Sequence, residues 1–177
     1  MHPIRTLLLT AATLSLSITA PAAQPANSYT GSWKTYDEQT KALNSIVTIH
    51  KKYNAYVGTI SKIYEQHGHK ASDLCVKCKG KLHNKPIRGM NILHFTLGSN
   101  GKPENCKILD PNNGSLYHCK LELLEKGSKL NVRGYIGLPL IGRDEKWIRE
   151  TGKDLKHEQN HASVAPQKQG ETPPPAS

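Results

Sequence analysis

Residues 115–124 have the sequence Ser-Leu-Tyr-His-Cys-Lys-Leu-Glu-Leu-Leu, in which apolar and polar side chains alternate. Tyr117, Cys119, Leu121 and Leu123 form the apolar series, and His, Lys and Glu stand between them. Successive side chains of a β-strand point to opposite faces of its sheet, so this period of two predicts a strand with one buried face. Such strands are typical of antiparallel sheets that cover a single core.

The same pattern recurs along the middle of the chain, in short segments bounded by Gly, Pro, Asn or Lys. None of these segments has the apolar spacing of an amphipathic helix of three turns. The sequence therefore predicts an all-β fold, a small antiparallel up-and-down barrel of about eight strands. The predicted strands are residues 31–36, 45–51, 53–64, 86–97, 106–109, 115–124, 129–136 and 141–149.

The two ends of the chain have a different composition. Residues 1–22 combine a short basic start, an uncharged Leu/Ala/Thr-rich run and a final Ala-Pro-Ala, which is the pattern of a cleaved signal peptide. Residues 151–177 are rich in Pro and Gln and poor in large apolar side chains, so we expect a disordered tail. The folded domain is predicted to span residues 23–150, and the mature protein to be periplasmic or secreted.

The chain is strongly basic, with 24 Lys and Arg against 14 Asp and Glu and a formal net charge of +10. Such a charge favours an anionic partner. Export makes nucleic acid an improbable partner and leaves the anionic surface of the cell envelope. The mean hydropathy of −0.57 and a single short apolar run argue against an integral membrane protein.

Six short motifs follow one another along the chain. They are Cys-Val-Lys-Cys at 75–78, Lys-Pro-Ile-Arg-Gly-Met at 85–90, Ile-Leu-Asp-Pro at 108–111, Tyr-His-Cys at 117–119, Val-Arg-Gly-Tyr-Ile-Gly at 132–137, and Gly-Arg at 142–143 with Trp147 and Arg149 after it.

Together these motifs resemble the secreted bacterial family known as domain of unknown function 2147, over residues 31–149. The resemblance implies a periplasmic, lipocalin-like barrel and brings no catalytic residues with it. Two features depart from the family pattern. Cys106 stands where the family usually has Gly, and Asp144-Glu145 replace a more neutral pair.

Four cysteines in an exported chain indicate disulfides, and four allow three pairings. Residues 108–114 predict a strand that runs into a Pro-Asn-Asn-Gly turn. With the turn centred between Asn112 and Asn113, Cys106 lies opposite Cys119, at a separation that a disulfide can bridge.

Cys75 and Cys78 then remain for each other, and three interpretations are open. A local structural disulfide is the one we expect. A metal site is the second, because His67, His69 and His83 bracket the pair and zinc binds Cys and His at such spacings. A redox-active thiol pair is the third, since neighbouring lysines favour a thiolate, although no helix is predicted to support one.

Closure of the barrel requires its first and last strands to meet. Gly31 and Trp33 begin the first predicted strand, and Trp147 and Arg149 end the last one. We therefore expect these four residues to have structural roles, with the Arg149 guanidinium stacked on Trp33.

Arg133, Tyr135 and Arg143 are the candidate ligand-binding residues, because arginine at a barrel mouth can bind a carboxylate or phosphate in bidentate fashion. The alternative is that these arginines pair with Asp144 or Glu145. Asp110 is expected to cap its turn.

The sequence contains no recognisable catalytic set, so we expect a protein that is not an enzyme and needs no cofactor. The leading hypothesis is a periplasmic binding module for a small amphipathic or apolar ligand. The alternatives are an envelope-associated structural or stress protein that docks on anionic polymers, and a Cys/His metal-binding protein.

Overall fold

The computed structural model describes residues 27–64 and 74–151 and contains eight strands in that part of the chain. The predicted signal peptide and, apart from residue 151, the predicted tail lie outside the described residues. The strands are β1 (Gly31–Tyr36), β2 (Leu43–Lys52), β3 (Ala55–Ile63), β4 (Asn91–Leu97), β5 (Pro103–Asp110), β6 (Ser115–Leu124), β7 (Lys129–Tyr135) and β8 (Gly142–Arg149).

Each strand pairs in antiparallel fashion with the next, and β1 also pairs with β8, so the sheet forms a closed barrel. The closing register places Trp33 opposite Arg149 and Lys34 opposite Ile148. The predicted all-β up-and-down barrel is therefore confirmed. Helical structure in the described segments is limited to the 3-10 turns Gly80–Leu82 and Glu125–Gly127, and none of it could span a bilayer.

Several strand boundaries differ from the predictions, by as many as five residues. The strand predicted for residues 86–97 begins only at Asn91, because Pro86 makes a single isolated bridge to Leu74 and Gly89 has a φ of +88°. Tyr53 lies in the β2–β3 turn with a φ of +54° rather than in β3. β5 begins at Pro103, where its pairing with β4 starts, so the strand is longer than predicted.

Because successive strands run in opposite directions, the connections alternate between two ends of the barrel. We call one the closed end; it holds residues 27–30, 53–54, 98–102 and 125–128. We call the other the open end; its described connections are residues 37–42, 74–90, 111–114 and 136–141.

The inner faces of the strands pack together into one core. Trp33, Phe95 and Leu130 have no exposed surface. Gly58 allows the closest approach in this core, because a Cβ there would lie 2.8 Å from Cβ of Leu93 and 3.2 Å from Cγ1 of Val47. A larger residue at position 58 would therefore push neighbouring strands apart.

The β5–β6 hairpin has the predicted register. Asp110 Oδ1 accepts a hydrogen bond from the backbone N–H of Asn112 at 2.9 Å, which stabilises the turn. Ile108 pairs with Tyr117, and two residues further along Cys106 and Cys119 form a disulfide with a Cα–Cα distance of 4.9 Å. The predicted pairing is confirmed.

Candidate functional site

Arg149 seals the closed end. Its guanidinium carbon lies 4.1 Å from the centre of the Trp33 ring, a cation–π contact. Its nitrogens donate hydrogen bonds to the carbonyls of Gly127 at 2.6 Å, Thr30 at 2.8 Å and Ser28. Desolvation lowers the pKa of Arg149, but an arginine stays charged throughout the physiological range. One side chain thus ties the last strand to the chain before β1.

Aromatic rings fill the barrel beside this contact. Phe95 stacks on Tyr56 with ring centres 4.9 Å apart and meets the edge of Tyr29 at 5.4 Å. The Trp33 indole N–H donates to the Tyr29 carbonyl at 3.0 Å, so its polar atom is satisfied. This end of the barrel is therefore filled with side chains.

The opposite half of the barrel contains a cavity of about 1360 Å³ that opens between the open-end loops. Its lining includes the apolar side chains of Val47, Ile60, Ile92, Val132 and Trp147. Trp147 is 2% exposed and forms part of the cavity base. It lies on β8 just before Ile148 and Arg149, the two residues that pair with β1. The cavity is therefore a pocket with a solid, apolar base.

Part of the lining becomes more polar from the base to the mouth. On β8, the inner face changes from Trp147 to Glu145 to Arg143 as the strand approaches the open end. On the neighbouring strands, Thr35 and Ser45 stand at the open-end side and hydrogen-bond to each other through their hydroxyls at 2.7 Å. The β8 wall therefore changes from apolar at depth to charged near the mouth, while Ile136, Leu140 and Ile141 add apolar side chains to the mouth itself.

Glu145 is the ionisable group set deepest on the β8 wall. Its Oε2 accepts a hydrogen bond from the Trp147 indole N–H at 3.0 Å. The side chain reaches the water of the cavity, yet protein surrounds it on other sides. This desolvation raises the pKa of Glu145, with the charges of Glu38 and Asp110 adding to the effect and the indole bond opposing it.

Residues 74–90, which we call the strap, cross the open end beside the cavity. Cys75 and Cys78 form a disulfide with a Cα–Cα distance of 5.3 Å, as expected. Gly114 of the β5–β6 turn lies directly beneath, since a Cβ there would lie only 2.0 Å from the carbonyl oxygen of Lys77. The close contact requires glycine and fixes the strap over the turn.

The disulfide also occupies the thiols that a metal site or a thiol redox centre would need in reduced form. His83 Nδ1 lies 3.1 Å from the Cys78 carbonyl oxygen, and His67 and His69 fall outside the described residues. Within residues 27–64 and 74–151, no group of three or more His, Cys, Asp or Glu side chains could hold a metal.

The three candidate ligand-binding residues have different surroundings. Tyr135 and Arg143 line the cavity mouth, and Arg143 forms an ion pair with Glu38 at 3.3 Å. Arg133 instead donates hydrogen bonds to the carbonyls of Pro139 and Leu140 and pairs with Asp144. Its guanidinium therefore holds the β7–β8 loop, and only the other two can face a ligand directly.

A family model described as an uncharacterized protein conserved in bacteria, DUF2147, matches residues 31–149. The chain belongs to this family. The matched residues of this DUF2147 protein begin and end with the barrel, which agrees with the family expected from the motifs. No curated protein shows significant similarity to the chain.

Among solved structures, the DUF2147 chain is similar to HP1028 from the human pathogen Helicobacter pylori, a protein described as belonging to the lipocalin family. The TM-score is 0.61 at 16% sequence identity, and the match covers 75% of this chain and 89% of HP1028. At that identity the likeness shows a shared fold. The expected lipocalin-like barrel is confirmed.

Sequence reasoning missed two parts of this site. Glu145 stood out only as a departure from the family pattern and as a pairing partner for arginine, and its position in the cavity wall was not predicted. The exposed loop at residues 136–141 was also missed. Its apolar sequence, Ile-Gly-Leu-Pro-Leu-Ile, is unusual for a loop that contains both Gly and Pro, and that contrast was the available signal.

Proposed function

We propose that this protein is an exported, non-enzymatic binding module whose barrel takes up one small amphipathic ligand. The observation that carries the proposal is the cavity of about 1360 Å³, closed at its base and open to solvent between loops. Barrels of eight strands have room for side chains or for one small ligand. Here one half is filled and the other half is hollow.

The chemistry of the lining favours an amphipathic ligand over a wholly polar one. Ile63, Ile87 and Ile108 line the cavity and are only partly buried, so they offer apolar surface on which burial of a hydrocarbon group is favourable. Tyr135, Arg143 and other polar residues surround the mouth, where a headgroup can remain hydrated. The ligand's apolar part would therefore enter first.

The polar side chains around the cavity support binding rather than catalysis. Asp110 caps its turn, Arg133 holds the β7–β8 loop, and Arg143 pairs with Glu38. Glu145 accepts the Trp147 indole hydrogen bond. These are structural contacts, and we assign no catalytic role to any of the four.

Export is supported by the signal-peptide pattern at residues 1–22 and by the two disulfides, which persist in oxidising compartments. Intact mass measurement of protein recovered from the periplasm tests this part of the proposal. The mass should show loss of the first 22 residues and of four cysteine hydrogens. An unprocessed, reduced chain would contradict it.

Gly134 provides a direct test of binding in the cavity. It lines the cavity, and a Cβ there would have only ordinary contacts, 3.8 Å from Cβ of Tyr117 and 3.9 Å from Cγ2 of Ile108. The Gly134→Leu variant should therefore fold and project a side chain into the hollow. Lys120→Leu places the same side chain on the exposed outer face of the neighbouring strand and is the matched control.

The probe is N-phenyl-1-naphthylamine, an apolar dye whose fluorescence rises on leaving water. The parent protein and Lys120→Leu should bind it saturably, one dye per barrel, and Gly134→Leu should bind it about tenfold more weakly or worse. Equal binding by all three proteins, or no binding by the parent, would sink the proposal.

A further inference from the structure

The β7–β8 loop, residues 136–141, presents a continuous apolar surface to solvent at the cavity mouth. Ile136 is 68% exposed, Leu138 69%, Leu140 88% and Ile141 79%. Large apolar side chains scattered singly over a surface are ordinary, but a contiguous group marks an interaction site.

This exposure is built into the loop by its backbone contacts. The Arg133 guanidinium donates to the carbonyls of Pro139 at 2.9 Å and Leu140 at 3.1 Å, and the N–H of Ile141 donates to the Leu138 carbonyl at 3.1 Å. Arg133 is itself held by Asp144. Four backbone polar groups of the loop are thus bonded within the protein, while its apolar side chains remain exposed.

The strap, beside this loop at the same end, is exclusively basic among its charged residues. Its side chains Lys77, Lys79, Lys81, Lys85 and Arg88 are all exposed, and residues 74–90 contain no Asp or Glu. Within the part of the chain that the structure describes, none of the five forms a salt bridge. The strap also exposes 55% of Val76 and 40% of Leu82.

We propose that the open end of the barrel docks on an anionic phospholipid bilayer. Leu138, Leu140 and Ile141 would enter the boundary between headgroups and acyl chains, and the strap lysines would lie among the phosphates. Apolar side chains next to clustered cations are the combination that binds such interfaces, because hydrocarbon burial and attraction to anionic lipids add together.

The positive charge of the strap favours an anionic membrane as the partner over a second copy of the chain. Two open ends placed face to face would bring two straps together, each with five positive charges and no negative one. Like charges across an interface oppose association, whereas an anionic bilayer complements them.

Docking in this orientation would set the cavity mouth against the lipid surface, so that a bound amphiphile could pass between bilayer and barrel. That consequence rests on the proposed binding function. The docking itself does not, because Leu138 of the loop and Lys79, Lys81 and Lys85 of the strap lie outside the cavity lining and can be changed without altering it.

The test is co-sedimentation of the naturally processed protein with vesicles of equal parts phosphatidylglycerol and phosphatidylcholine, compared with vesicles of phosphatidylcholine alone. Two pairs of variants separate the ends of the barrel. Leu138→Ser, at a residue outside the cavity lining, is matched by Tyr53→Ser at the closed end, since the two side chains are 69% and 88% exposed. The open-end triple variant, Lys79→Gln with Lys81→Gln and Lys85→Gln, is matched by Lys51→Gln with Lys52→Gln and Lys126→Gln at the closed end.

The parent should bind the anionic vesicles and lose binding as salt rises. Leu138→Ser should weaken binding about tenfold, and the open-end triple variant on the order of 100-fold, at about fivefold per lysine. Both closed-end controls should bind like the parent. All variants have the same N-terminus, so it cannot cause differences in vesicle binding among them. Such differences therefore report the open and closed ends of the barrel.

Three outcomes would overturn the inference: no binding to anionic vesicles at low salt, equal losses from the two ends, or self-association that Leu138→Ser abolishes without any vesicle binding. Dye titration of the same variants keeps the two proposals separate. Leu138→Ser and the open-end triple variant change residues outside the cavity lining, so they should retain dye binding even where vesicle binding is lost.

Discussion

The two ends of this barrel are made by the same eight strands and have opposite properties. At the closed end, Trp33 and Phe95 fill the interior, and Arg149 donates hydrogen bonds to the backbone carbonyls around them. At the open end, the strands surround a cavity of about 1360 Å³, and the loops around it expose apolar and basic side chains.

The distribution of exposed large apolar residues shows the contrast most clearly. Of the eleven such residues in the described part of the chain, only two, Tyr53 and Leu97, belong to the closed end. The other nine lie at the open end, so the asymmetry is too large to be ordinary surface scatter. They are Tyr36, Leu74, Val76, Leu82, Leu116, Ile136, Leu138, Leu140 and Ile141.

The comparison places the side chains that stabilise the barrel at one end of the sheet and the surface that we propose for binding at the other. Side chains packed at the closed end stabilise the barrel, which allows the open end to keep surface that contributes little to folding. Variants at the two ends should therefore differ sharply in their effect on the free energy of unfolding. The comparison is made by measuring both in the same unfolding assay.

The largest contrast should come from truncating one large apolar residue at each end. Trp33→Ala removes a side chain with no exposed surface and its contact with Arg149, so it should lower the free energy of unfolding by about 3–5 kcal/mol. Leu140→Ala removes an 88% exposed side chain and should change it by no more than about 0.5 kcal/mol. Urea denaturation measures both. Similar losses would show that the loop is part of the core.

Two arginines on the same strand provide a sharper comparison. Arg149→Met removes the donor to the carbonyls of Gly127, Thr30 and Ser28, so we expect a loss of about 2 kcal/mol. Arg143→Met removes one ion pair of a largely exposed side chain and should cost about 0–1 kcal/mol. Equal losses in thermal or urea unfolding would argue against a special role for Arg149.

The smallest effect should be a change in the pH dependence of stability. Because the pKa of Glu145 is raised in the folded state, the unfolded chain releases this proton first as pH rises, and stability falls between the ordinary pKa and the raised one. Glu145→Gln keeps an acceptor for the Trp147 indole and cannot ionise. Because Glu145 is also exposed to solvent, the substitution should raise the Tm only slightly at about pH 7 and by less at about pH 4.

The readout for this variant is the Tm difference from the parent at the two pH values. A difference that does not change with pH would show that ionisation of Glu145 is not its source. A variant less stable than the parent at both pH values would show that the carboxylate stabilises the barrel, the opposite of what its surroundings indicate.

Much of the fold could be predicted from local pattern. The alternation in residues 115–124 identified a strand, and the Asp-Pro-Asn-Asn-Gly turn fixed the register that joins Cys106 to Cys119. The start of β4 could not be predicted in this way, since residues 86–90 have strand-like composition but belong to the strap. Their conformation is set by contacts with Leu74 and β3, which are distant in sequence.

The sequence by itself determined the strands, their order and the disulfide of the β5–β6 hairpin, because side-chain alternation and turn chemistry act over a few residues. Only the tertiary structure decided which end is hollow, that Glu145 lies in the wall of the hollow and that residues 136–141 stand exposed beside it. A cavity is the space left among side chains from many strands, and exposure depends on what covers a residue from elsewhere in the fold. No local pattern contains that information.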